Sequence, residues 1–312
     1  MIDRPLLMGI QYDLPLSTTP LVDLAEDLGR DFHEIEKELI YYKKIGILKR
    51  YGLNLNYKAF RKFRDAALVA LKANDVEKVS NAIANYDKTT IKHCYLREGE
   101  YNIWFTVKAE SLDGIERIVN EVIKSAGSTE HVILPTKRIY KMNVKYDLYR
   151  GISWSRHVPE RKDPVPLVEL GFDENVVKSL ESLRVCERPF KEFKSFGYEE
   201  EEVLSMAREL LKKGVARDFS GVLDESRIGF KENGMVVLNV DNVGEVATKL
   251  LDEFPQITHL IERVPSDKWN FQLYFMVHAI KKHLIDEIVE NVRSFRDVKD
   301  LRVIYSIRDL RA

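Results

Sequence analysis

The sequence predicts an α+β protein built as two tandem repeats. Each repeat is a winged helix-turn-helix followed by a ferredoxin-like βαββαβ domain. Three observations predict this. A strand pattern occurs twice, as Ile91-Lys92-His93-Cys94-Tyr95-Leu96-Arg97 and as Ile257-Thr258-His259-Leu260-Ile261-Glu262-Arg263, each leading into a second apolar strand. The same order of strand and helix patterns flanks both hairpins. A helix, turn, helix, glycine and strand precede each block. The copies lie about 168 residues apart, a spacing typical of duplicated domains rather than solenoid repeats.

In the first repeat, residues 18–29 read as a capped helix ending in Gly29. Residues 31–44 read as a second helix, with Phe32, Ile35, Leu39 and Tyr42 at helical spacing. Residues 45–51 turn through Gly46 into a strand. The ferredoxin-like part follows as strand 66–73, helix 76–86, hairpin 91–108, helix 112–125 and strand 131–140. The second repeat gives helix 189–197, helix 199–213 and strand 214–219. It continues with strand 235–240, helix 243–254, hairpin 257–278, helix 284–295 and strand 301–307. Three prolines among charges between 150 and 166 mark a linker. The expected boundaries are 1–60, 61–150, linker 151–168, 169–229 and 230–312. The two sheets are expected to pack face to face as a pseudo-dimer within one chain, and two chains could associate further as a homodimer.

The 312 residues, 45% hydrophobic and 32% charged, suffice for more than one core. No long apolar run indicates a membrane span, and the start lacks the regions of a signal peptide. Two unspaced cysteines, Cys94 and Cys186, fit a reducing cytoplasm and are expected to pack as small apolar residues. No metal-ligand spacing is present, so no metal is expected. A net charge of −1 gives no basic surplus for nucleic acid. The second helix of the second repeat opens with Glu199-Glu200-Glu201-Glu202, and that of the first carries Asp31, Glu34, Glu36 and Glu38. Carboxylates there repel phosphate, so no nucleic acid is expected and the winged helices read as scaffold.

The chemistry concentrates on the hairpins. Side chains alternate along a strand, so His93 and Arg97 share a face, as do His259 and Arg263. If Arg263 pairs with Gln272, then His259 pairs with Met276. His259, Arg263, Gln272, Tyr274, Met276 and His278 then lie on one face, with Leu260, Leu273, Phe275 and Val277 on the other. Cations beside rings make a seat for a ligand with several carboxylates. Histidines titrating near neutrality suit proton transfer. His33, His131, His157 and His283 lack such context and read as surface residues.

A winged helix before a ferredoxin-like domain resembles the Lrp/AsnC regulators. The second repeat is similar to a particular branch, the siroheme decarboxylases. The resemblance rests on Arg217-Asp218-Phe219-Ser220-Gly221-Val222-Leu223-Asp224 in the wing. It rests also on Thr258-His259 through Arg263, Trp269, Leu273 through His278, and Ile304-Tyr305-Ser306-Ile307-Arg308-Asp309-Leu310. That family usually has two related subunits, and this chain resembles both fused. The resemblance implies loss of carbon dioxide from two acetate side chains of siroheme, giving didecarboxysiroheme in haem biosynthesis. It implies no separate cofactor, because siroheme carries its own iron. Under it, His259 and His278 are the catalytic candidates. Arg263, Trp269, Gln272, Tyr274, Met276, Arg217, His93, Arg97 and Lys108 are the candidates for substrate binding. The first repeat departs from the pattern, with Lys108 for His278, Asn102 for Gln272 and no equivalent of Trp269. Asn270 stands where proline is expected. The second repeat is therefore expected to carry the complete site, with the first as structural mate. The competing readings are an Lrp-like regulator that binds DNA, and a haem sensor without turnover.

Overall fold

The computed structural model describes residues 2–127, 130–156 and 163–311. Part of the expected linker, with His157 and Pro159, lies outside them. The chain runs α1 (Arg4–Tyr12), α2 (Pro20–Asp27), α3 (Phe32–Lys44), β1 (Leu48–Leu55), β2 (Asp65–Lys72), α4 (Val76–Ala84), β3 (Ile91–Arg97), β4 (Ile103–Ala109), α5 (Leu112–Ala126) and β5 (Glu130–Met142). Two short strands follow, β6 (Tyr146–Asp147) and β7 (Ile152–Ser153). Then come α6 (Leu167–Leu170), α7 (Glu174–Ser179), α8 (Glu200–Lys212), β8 (Ala216–Leu223), β9 (Glu232–Val240), α9 (Val243–Glu253), β10 (His259–Arg263), β11 (Leu273–Ala279), α10 (Lys282–Arg293) and β12 (Val298–Asp309).

Local chemistry sets these limits. Asp31 caps α3 by accepting from the backbone N–H groups of His33 and Glu34, and Lys43 and Lys44 close its last turn against the helix dipole. Glu202 accepts from the backbone N–H of Glu199 at 2.8 Å, so the glutamate run that opens α8 satisfies its own N-terminus. Residues Pro189–Phe196 form a 3-10 helix instead of the expected α-helix. Phe190, Phe193 and Phe196 recur every third residue, which matches three residues per turn. The helices α1, α6 and α7 have no counterpart in the sequence reading.

The chain divides into two compact units, and each draws on both repeats. One contains the residues up to Arg61, Lys145–Gly151 and the stretch ending at Phe230. Its centre is an antiparallel ribbon in which β1 pairs with β8, Leu53 opposite Phe219. A shared apolar core joins Leu6, Ile10, Leu24, Ile35 and Leu39 to Leu180, Phe190, Val203 and Leu210. Gly52 is required here. A Cβ on it would lie 2.2 Å from the Leu180 carbonyl oxygen, which accepts from Leu53 N–H at 2.8 Å.

The other unit holds the two four-stranded sheets, ordered β5-β2-β4-β3 and β12-β9-β11-β10. They do not face each other as expected. They join edge to edge, β3 with β12 and β10 with β5, and so close into a barrel of eight strands. The long last strand of each repeat makes this possible. β5 pairs with β2 through residues 130–135, then runs on to pair with β10 through residues 136–142. β12 divides itself between β9 and β3 in the same way. Outside the barrel, Val69, Ile103, Phe105 and Val107 pack under α4 and α5, and Val236, Leu273, Phe275 and Val277 pack under α9 and α10. Inside, Leu68, Trp104, Leu134, Met235, Tyr274 and Ile304 form a separate cluster. Among the described residues, no helix is long and apolar enough to cross a membrane.

Candidate active site

The β10–β11 hairpin adopts the register read from the sequence. Arg263 N–H donates to the Gln272 carbonyl at 2.8 Å, and His259 stands opposite Met276. Leu260, Leu273, Phe275 and Val277 lie in the outer core, while Tyr274 and Met276 belong to the inner cluster. His259, Arg263, Tyr274, Met276 and His278 therefore share the inward face.

Arg263 is only 6% exposed. Its Nη1 donates to the Leu134 carbonyl at 3.3 Å and to Thr136 Oγ1 at 3.1 Å, both on β5. The guanidinium lies 5.4 Å from the ring centroid of Tyr274. The adjacent carboxylate, Glu262, points to the opposite face and pairs with Lys137 at 2.7 Å. Arg263 is thus a buried cation held by neutral partners, and burial pushes its pKa down to about 10. Burial also raises the Tyr274 phenol; the nearby Arg263 charge and a hydrogen bond from Trp269 Nε1 at 2.9 Å oppose that shift.

Trp269 belongs to an aromatic cluster where the two hairpin loops meet. Its ring lies 5.6 Å from Tyr101, 5.3 Å from Trp104 and 5.0 Å from Phe271, with the Arg302 guanidinium 4.9 Å from the Phe271 ring. These edge-on and tilted ring contacts fill the inner cluster at that end.

The histidines sit at the other end of the hairpin. Four residue steps along the strand separate His259 from Arg263, about 13 Å. His259 Nδ1 is 3.0 Å from Thr258 Oγ1. His278, 5% exposed, has Nδ1 3.4 Å from Asn233 Nδ2. Asn233 Oδ1 in turn accepts from Arg97 Nη2 at 3.2 Å, and Arg97 Nη1 donates to the Ile304 carbonyl at 3.0 Å. Arg97, 4% exposed, belongs to the first repeat but is bonded into the second. Arg97 and Arg263 are mates in the repeat. Each reaches a carbonyl on the other repeat's last strand, Ile304 on β12 or Leu134 on β5. The first repeat therefore reaches the groups around His278 through Arg97.

The remaining candidates divide. The His93 ring stacks on Tyr95 at 6.2 Å, and the Arg97 guanidinium lies 5.0 Å from the same ring. Lys108 stands opposite Ala66 on the inward side, half-buried. Gln272 instead accepts from Val240 N–H at 3.2 Å through Oε1, which ties down the end of β9. Asn102 does the same for β2, exchanging two hydrogen bonds with Ala73. Arg217 lies in the other unit, donating to the Leu55 carbonyl and Asn56 Oδ1. Surface hollows lie on the outer face of α5 and between α3 and residues 184–186. Neither touches these groups, which are side chains on the inward face of the barrel. Among the described residues no cluster of His, Cys, Asp and Glu could hold a metal ion. The sequence reading missed Asn233, Thr136, Tyr101 and Trp104. Asn233 precedes the expected strand 235–240, and only the pairing of β9 with β11 sets it against His278.

The family model for the AsnC-like ligand binding domain matches residues 63–141 and 227–311. The chain is 26% identical over 315 residues to a protein of Hydrogenobacter thermophilus named siroheme decarboxylase, covering 98% of this chain and 92% of that one. A crystal structure of the siroheme decarboxylase NirDL superposes with a TM-score of 0.67 at 23% identity, covering 98% of this chain and 91% of that chain. A second, of NirDL in complex with an iron-uroporphyrin III analogue, gives a TM-score of 0.65 at 22% identity over the same shares. The likeness to these structures is one of fold.

Proposed function

The chain belongs to the AsnC-like ligand binding domain family, and from that premise we propose that it is a siroheme decarboxylase. The observation that carries the reading is Arg263, a buried cation with neutral partners beside an aromatic ring. Such a charge is costly to bury alone and is relieved by a ligand that brings carboxylates. Siroheme is a flat, apolar macrocycle edged by carboxylates, and it brings its own iron.

In the proposed reaction, an acetate carboxylate leaves as carbon dioxide. The electron pair of the broken carbon–carbon bond passes into the macrocycle, and the methylene carbon then takes a proton to become methyl. Arg263 holds a carboxylate that is retained. Pairing it to the departing group would stabilise the ground state instead. His278 or His259 delivers the proton. Tyr274, Met276 and Trp269 supply the ring face. The first repeat completes the site through Arg97, so the two repeats act as a pseudo-dimer. The helical unit is a pair of winged helices serving as scaffold, since Glu200, Glu201 and Glu202 crowd the N-terminus where DNA phosphate would sit.

Anaerobic incubation with siroheme followed by mass spectrometry tests this. The expected product has lost the mass of two carbon dioxide molecules. Siroheme recovered intact from a complex with the protein would leave a carrier or sensor instead. Replacing His259 and His278 together with alanine is expected to abolish turnover. Full activity in that double variant would remove the proposed proton donors.

A further inference from the structure

Arg97, Asn233 and His278 form a chain of hydrogen bonds in which chemistry fixes each donor. A guanidinium has donors only. Arg97 Nη2 lies 3.2 Å from one side-chain atom of Asn233, which must therefore be the amide oxygen. Arg97 Nη1 lies 3.5 Å from the Asn233 carbonyl and 3.0 Å from that of Ile304, so the guanidinium is anchored on both sides. The amide nitrogen of Asn233 consequently faces His278, 3.4 Å from Nδ1. An amide nitrogen only donates, so Nδ1 accepts, and the neutral imidazole carries its proton on Nε2. From the strand side, the backbone N–H of His278 donates to Ser153 Oγ at 3.1 Å, and Ser153 Oγ donates to the Gln256 carbonyl at 2.6 Å.

We propose that Arg97, from the first repeat, is a positioning residue for the second: it locks the Asn233 amide so that His278 presents an Nε2 proton. The tautomer follows from geometry alone, whereas its use in protonating the methylene carbon rests on the decarboxylase reading. The lock exists in one copy. At the mate position Lys108 stands opposite Ala66, where His278 stands opposite Asn233.

Two-bond proton–nitrogen NMR on the full chain labelled with 15N-histidine tests the tautomer without any turnover. The His278 signals are identified by their loss in His278→Gln. The expected spectrum has a bare Nδ1 and a protonated Nε2. Asn233→Asp, nearly identical in shape, offers only acceptors and is expected to move the proton to Nδ1. Arg97→Met frees the amide to turn and is expected to give a mixture. A wild-type spectrum with protonated Nδ1 overturns the proposal, as does an Arg97→Met spectrum identical to wild type. With siroheme, Asn233→Asp is expected to lower kcat about a hundredfold or more with little change in KM. An unchanged kcat would sink the positioning role while leaving the tautomer standing. Absence of turnover in the wild type would sink the decarboxylase reading alone.

Discussion

Arg263 is where a single side chain says most about function. Replacing a buried ionic group by an apolar one of similar volume is commonly neutral or stabilising by about 1–4 kcal/mol. Arg263→Met is therefore expected to leave the ligand-free melting temperature unchanged or raised, while affinity for an iron tetrapyrrole with intact carboxylates falls about tenfold or more. Thermal melts and absorbance titrations measure the two effects, and a large loss of stability would mark the arginine as structural. Lys141 offers a contrast. It is 2% exposed, and its ammonium meets the Ser155 and Pro255 carbonyls at 2.7 and 3.3 Å. Burial lowers its pKa from 10.5 to about 8. Between those values the unfolded chain keeps a proton that the folded one has released, so this contribution to stability rises with pH through the window and is lost as pH falls through it. Relative to Lys141→Met, the wild type is expected to gain about 1 kcal/mol between pH 7 and pH 9 in urea unfolding. Parallel stabilities across that range would refute the assignment. Arg263 and Lys141 are not equally legible in the sequence. Arg263 announced itself by recurring at the spacing of Arg97, whereas Lys141 lies just past the strand 131–140 read from the sequence.

The hairpin was the most legible element, because alternation of Leu260, Leu273, Phe275 and Val277 against His259, Tyr274 and Met276 allows one register. Side-chain role was less legible than side-chain face. Gln272 reads as a ligand contact by parity, yet its amide ties down β9 through Val240, and Asn102 ties down β2 through Ala73. Asn102→Ala removes two bonds and is expected to cost about 2 kcal/mol, Gln272→Ala about 1 kcal/mol, both read from denaturant midpoints. Equal tolerance of both changes would contradict the strand-end role. The 3-10 stretch at Pro189–Phe196 escaped because helical periodicity and a three-residue period are hard to separate over eight residues. The helix α1 escaped because nine residues carry too few repeats of any period.

Edge pairing is the property that no local pattern encodes. The order of strands within each sheet followed from the βαββαβ pattern, but β3 finds β12 across more than half the chain, and nothing near Arg97 in sequence points to Ser306. The closing strands β5 and β12 run longer than the strands 131–140 and 301–307 read from the sequence. Each repeat alone would present two open sheet edges, β3 and β5 or β10 and β12, and exposed edges invite aggregation. Residues 1–150 and 151–312 produced separately are therefore expected to aggregate, and to recover a defined species by size-exclusion chromatography when co-expressed. A stable monomer of either piece would mean the closure is dispensable. The same closure holds together two repeats whose matching positions carry different residues. Where Ala66 and Lys108 now stand, asparagine and histidine would rebuild the second copy's relay beside Arg263, so the double change Ala66→Asn with Lys108→His is a direct route to a barrel with chemistry at both mirror positions.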